Sequence, residues 1–141
     1  MIKVLQPPGW AKPKGYSNGM AVKGGTTVFV AGQVAFNPLG VIEETTFAGQ
    51  FRQTLKNTLA VLAEAGAKPE HIVRMTWYIL DKQEYLGAIK EVGAAYRELV
   101  GRHYPAMAVV QVGALIEDQA RLEIETTAVM PERNPSEGKP S

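Results

Sequence analysis

The sequence predicts an α+β fold, a sheet with two helices on one face in the order ββαβαββ. Two stretches, residues 46 to 65 and 81 to 100, carry apolar side chains at three- or four-residue spacing. Around them lie runs rich in β-branched and aromatic residues, and Gly- and Pro-containing turns separate the pieces.

Taken in order, residues 1 to 18 include Pro7, Pro8, Gly9, Pro13 and Gly15 and read as an irregular lead-in, with Trp10 and Tyr16 as anchors to the body. Met20 to Lys23 and Thr26 to Gln33 flank Gly24-Gly25 and predict an antiparallel hairpin. After the turn Asn37-Pro38-Leu39-Gly40, the stripe Phe47, Phe51, Leu55, Leu59, Leu62 predicts an amphipathic helix, capped by Thr45 or Thr46 and stopped at Gly66. Ile72 to Leu80 predicts a central strand with Val73, Met75, Trp77 and Ile79 on one face. Asp81 with Glu84 resembles a capping box, and Tyr85, Leu86, Ile89, Val92, Tyr96 and Leu99 carry a second helix to about Val100. Tyr104 to Val112 and Arg121 to Ala128 complete the body as two strands.

A chain of 141 residues, 45% hydrophobic and 21% charged, suits one domain with a real core, here residues 1–130, followed by a tail at 131–141 whose three prolines predict disorder. A net charge of +1 with no basic run offers no electrostatic reason for a nucleic-acid partner. The absence of cysteine excludes disulfides and thiolate chemistry. The N-terminal residues lack a continuous apolar core, and no run approaches the ~20 apolar residues of a membrane span, so no membrane association and a cytoplasmic location are expected. His71 and His103 stand far apart without an acidic cluster at ligand spacing, so neither a metal nor another cofactor is expected. Because each helix has one stripe, both should cover the same sheet face. Apolar positions remaining on the strands, Val109, Val110, Val112 and the Trp77 face among them, then predict that the other face meets another subunit.

Strand alternation places Glu123 and Glu125 on one face with Thr127 and Val129. On residue type alone this pair reads first as solvated or ion-paired surface charge. Together with Gly32-Gln33, Phe51-x-x-Thr54-Leu55-x-Asn57, Ala65-Gly66 and Tyr104-Pro105-Ala106, however, this stretch resembles the Rid family, the reactive intermediate deaminases also called YjgF-like proteins. The resemblance covers most of residues 16 to 130. It implies a chorismate-mutase-like fold, three subunits packing their sheets into a barrel, a small-molecule cleft at each subunit boundary, and hydrolytic deamination of a reactive enamine or imine.

By that resemblance Glu123 is the catalytic acid that positions water, while Tyr16, Gly32, Met107 and Val109 fall at positions that bind substrate. Met107 departs from the family pattern, which has an arginine there to hold the substrate carboxylate. A thioether has neither charge nor N–H donor. Loss of such a pair costs on the order of 2 to 5 kcal/mol of binding, so an amino-acid-derived imine carboxylate is not the expected substrate. Val109 replaces a frequent cysteine and Ala31 a serine. Arg52, Arg74, Arg102, Arg121 and Lys23 are the candidates for a compensating cation, and a pairing of His103 with Glu123 is conceivable. The alternative function is a trimeric small-molecule binder or regulator without catalysis.

Overall fold

A computed structural model describes residues 2–132. The expected tail lies outside the described residues from position 133 onward. The elements run β1 (Ile2–Leu5), β2 (Gly19–Val22), β3 (Thr26–Gln33), α1 (Phe47–Glu64), a 3-10 turn at Pro69–His71, β4 (Ile72–Ile79), α2 (Lys82–Gly87), α3 (Ile89–Leu99), β5 (Ala106–Gln111) and β6 (Leu122–Met130). The main sheet has the order β3-β6-β4-β5, parallel only between β4 and β5. The α+β class and the central position of β4 match the sequence expectation.

Helix α1 forms where its stripe predicts. The Thr46 hydroxyl accepts from the Gly49 amide at 3.0 Å, and Gly66, at φ 80°, ends the helix as the Ala67 amide donates back to Leu62. Phe51, Leu55 and Leu62 are wholly buried against Ile72, Met75 and Ile124, which form the core. The second helix is broken. Asp81 caps α2 by accepting from Gln83 and Glu84 amides, but the chain leaves helical geometry at Ala88, just after Gly87, and restarts as α3. Glycine is a weak helix former, so the break falls where propagation is least favoured. The Glu84 carboxylate completes no box, since it accepts from Arg121 Nη1 at 2.6 Å.

The predicted hairpin does not form. Strand β2 pairs with β1, and β3 pairs with β6. Ile2 to Leu5, just ahead of the prolines, form a short extended piece that supplies the partner the punctuated lead-in concealed. Gly25 instead serves a close approach: at φ 83°, a Cβ there would stand 2.1 Å from the Met130 carbonyl oxygen. Strands β5 and β6, consecutive in sequence, are separated by β4.

Cross-strand partners share a face, so the register sorts the side chains. Met75, Trp77 and Ile79 of β4, with Met107 and Val109 of β5 and Leu122 and Ile124 of β6, point toward the helices. Arg74, Thr76 and Tyr78 share the open face with Glu123, Glu125 and Thr127. That open face is more polar than the apolar surface expected for it, because the Trp77 and Val109 side is the one turned to the helices. It still carries Phe29, 78% exposed, and Val110.

Candidate functional site

On the open face, Glu123 lies opposite Tyr78 and reaches across to β3. The β3–β6 register slips between Val30 and Gln33, and Gly32 sits in the irregularity. A Cβ at Gly32 would stand 2.3 Å from Glu123 Oε2, so the carboxylate occupies the space that a side chain would fill. The amide of Asn57 on α1 holds this end of β3 in place by donating to the Val34 and Phe36 carbonyl oxygens at 3.0 and 2.8 Å. Buried Gln50 does the same for β6: its amide donates to the Glu44 and Gln119 carbonyl oxygens and accepts from the Arg121 amide. Tyr78 donates to Glu125 Oε1 at 3.3 Å. The charge of Glu125 is the main influence holding that phenol above its ordinary pKa, aided by partial desolvation, the hydrogen bond and Glu123, against a lowering effect of Arg74.

On the helix side, a pocket of about 490 Å³ opens between α3 and the β4–β5 edge, within the range of small-molecule sites. Tyr16, Met107 and Val109 line it, together with Trp77, Tyr85 and Tyr104. Tyr16 is brought there by its neighbour Ser17, whose hydroxyl donates to the Tyr104 carbonyl oxygen and whose amide donates to that of Pro105. Trp77 is held edge-on by Phe51 at 4.8 Å between centroids. Lys14, Gly93 and Arg97 also line the pocket, and none was singled out from the sequence. The available signal was Gly93, a glycine inside a helix, which calls for a packing reason.

The five sequence-predicted residues therefore fall into two groups. Gly32 and Glu123 meet on the open face; Tyr16, Met107 and Val109 meet on the other. Within one chain the sheet stands between them.

None of the cations nominated from sequence lines this pocket. Arg52 pairs with Glu98 and Arg121 with Glu84, Arg74 lies on the open face, and Arg102 lines a separate groove with Ile2, Val4 and Glu70. His103 does not approach Glu123; its Nε2 lies 2.6 Å from the Ile72 carbonyl oxygen. His71 Nδ1 accepts from the Lys68 amide at 3.0 Å. Both histidines thus serve their turns.

Tyr96 forms the pocket wall, donating to the His103 carbonyl oxygen at 2.5 Å and stacking on Tyr104 at 5.7 Å. Burial, then the neighbouring Tyr104, pushes its phenol pKa well up. The native state therefore holds this proton more tightly than the unfolded chain. Its stabilising effect is complete below about pH 10, the unfolded value, and declines as pH rises from there toward the native pKa. Tyr96→Phe is expected to flatten the alkaline fall in unfolding free energy, measured by urea titration between pH 9 and 11. An unchanged slope would show that Tyr96 does not contribute to it.

A family model described as Endoribonuclease L-PSP matches residues 10–130. A RutC family protein of Pyrococcus horikoshii is 34% identical over 130 residues, covering 91% of this chain and 98% of its own. The chain belongs to the Rid family. Another Rid relative, the 2-iminobutanoate/2-iminopropanoate deaminase of Escherichia coli, is 32% identical and covers 74% of this chain and 80% of its own. The crystal structure of a Rid family protein from Yersinia pestis superposes with a TM-score of 0.80 at 32% identity, covering 92% of this chain and 98% of that one. Among the described residues of this Rid chain, no helix is long and apolar enough to cross a membrane.

Proposed function

We propose that this chain hydrolyses a reactive enamine, imine or related small metabolite in a cleft between subunits of a homotrimer. The observation that carries the reading is the division of the site. Glu123, packed over Gly32, is a solvent-reachable carboxylate on an open sheet face, whereas the pocket lined by Tyr16, Met107 and Val109 lies on the opposite face. One ligand cannot touch both groups in one chain, but a neighbouring copy can bring its Glu123 to this pocket. The open face, with exposed Phe29 and Val110, offers apolar surface to such a copy. The imine deaminase named among the relatives supports the reaction class. In this reading Glu123 positions and activates water for attack on the electrophilic carbon, and protein groups around Val109 and Tyr16 orient the ligand.

Met107 directs the substrate away from imines with an adjacent carboxylate, since no charge-assisted pair is available beside it. The same residue favours a second reading, a trimeric binder or regulator that keeps the pocket without the reaction.

A coupled assay separates the two. An amino-acid oxidase generates imines, semicarbazide traps them, and the decay of trapping is compared for the parent chain and Met107→Arg, using material whose light-scattering mass is three times 15.3 kDa. The expected result is acceleration by Met107→Arg at least tenfold above the parent on carboxylate-bearing imines. Parent activity equal to that of the variant would overturn the reading of Met107. No activity in either would favour the binder, and a monomeric mass would remove the shared cleft.

A further inference from the structure

We infer that the pocket selects a small acid with an aromatic or comparably flat apolar body, its acidic group held at the rim by Arg97 and Lys14. The inference rests on the proposed reading only in taking this pocket as the ligand site, and it names the class of ligand that the pocket prefers.

The charge of the lining is the first observation. Two cationic side chains, Lys14 and Arg97, line the pocket, and no aspartate or glutamate does, although the whole chain is nearly neutral at +1. Local potential in a low-dielectric cleft follows such lining charges more closely than net charge. Neither cation has an ion pair among the described residues; the acid next to Arg97 in sequence, Glu98, is engaged by Arg52.

The geometry of α3 is the second. Gly93 lies one helical turn before Arg97, and a Cβ at Gly93 would come within 3.2 Å of Arg97 Nη1. The guanidinium is thus folded back along the helix over Gly93, which itself lines the pocket. Glycine inside a helix is unfavourable by about 1 kcal/mol relative to alanine. Here it leaves room for a planar fork of N–H donors, suited to a carboxylate, to lie against the pocket mouth.

The walls supply the third. Tyr16, Trp77, Tyr85, Tyr96 and Tyr104 surround the space, and Met107 and Val109 close one side without a charge. Such a chamber favours ring stacking and apolar contact in its interior, and places the anion on the α3 side. Met107 therefore does not make the pocket neutral. It moves the cation from the strand to the rim, which suits an acid whose carboxylate is spaced from the reacting carbon.

Calorimetric titration of the full chain with phenylacetate, its neutral isostere 2-phenylacetamide, and acetate tests this directly. Phenylacetate is expected to bind about tenfold or more tightly than either, with the advantage over the amide reduced by added salt. Arg97→Gln should remove most of the advantage over the amide, Arg97→Lys should restore part of it, and Arg97→Gln with Lys14→Gln should bring phenylacetate down to the amide. Because Arg97 and Lys14 are both exposed, these variants are expected to keep the parent melting temperature. Equal binding of acid and amide, or a preference that survives Arg97→Gln combined with Lys14→Gln, would overturn the rim anion site. Acetate binding as tightly as phenylacetate would overturn the aromatic part, and absence of binding by all three would overturn the ligand class. The same titrations in Glu123→Gln keep the two readings apart: an intact acid preference with no imine turnover in either the parent or Met107→Arg would sink the hydrolase and leave this inference standing.

Discussion

Phe51→Ala is expected to lower the unfolding free energy by about 3 to 5 kcal/mol, the range for truncating a fully buried aromatic ring. Phe51 has 0% exposure on the inward stripe of α1 and meets Trp77 edge-on at 61° and 4.8 Å. Removing the ring deletes its transfer term, leaves a cavity between helix and sheet, and forfeits the aromatic pair, worth roughly 1 kcal/mol in itself. For a domain of this size the melting temperature should fall on the order of 10 °C. Phe51→Leu keeps much of the volume and should lose clearly less. The effect also reaches the pocket, since Trp77 forms part of its wall and would lose its support. Urea unfolding at fixed protein concentration, with the near-ultraviolet circular dichroism of the indole, checks both parts. A loss below 1 kcal/mol would mean that the α1–β4 contact is not the centre of the core.

What the sequence made legible follows from the range of the signals. Helix α1 was readable because its stripe and its Thr46 cap are local, and β4 because a run of strand formers long enough to span a sheet stands alone between two helices. The partner of β2 was not, since Gly24-Gly25 is a turn signal that says nothing of which edge is free; the approach of Gly25 to Met130 is a contact across the whole chain. Strand alternation correctly placed Glu123 and Glu125 together, but the approach of Glu123 to Gly32 depends on a register slip invisible in composition. Resemblance to the family supplied Tyr16, Gly32, Met107, Val109 and Glu123 as one site, and only the register shows that one chain divides them between two faces. Arg97 escaped notice because an exposed helix position acquires meaning only once Gly93 beneath it and the β5 edge opposite are placed.

Glu123→Gln should reduce imine turnover by about 10² to 10⁴-fold if the carboxylate activates water, since the amide keeps the shape but is no proton acceptor of comparable strength. Gly32→Ala tests the same group by position rather than by chemistry. Its Cβ would lie 2.3 Å from Oε2, 2.8 Å from Cδ and 3.1 Å from Cγ of Glu123, so the carboxylate must move by about 1 Å to regain ordinary contact. A misplacement of that size can cost on the order of 10²-fold in rate. The backbone at Gly32 is not in the left-handed region and the residue is exposed, so alanine should fold with little change in melting temperature. The combination is the sharper measurement. If Gly32 matters only by leaving room for the carboxylate, Gly32→Ala should reduce turnover little further in the Glu123→Gln background. Single-turnover assays in the Met107→Arg chain, where carboxylate-bearing imines are expected to react, give the rates. Full multiplication of the two losses would assign Gly32 a separate role at the ligand. Unchanged turnover in Glu123→Gln would remove this acid from the chemistry and assign the activation of water to another group.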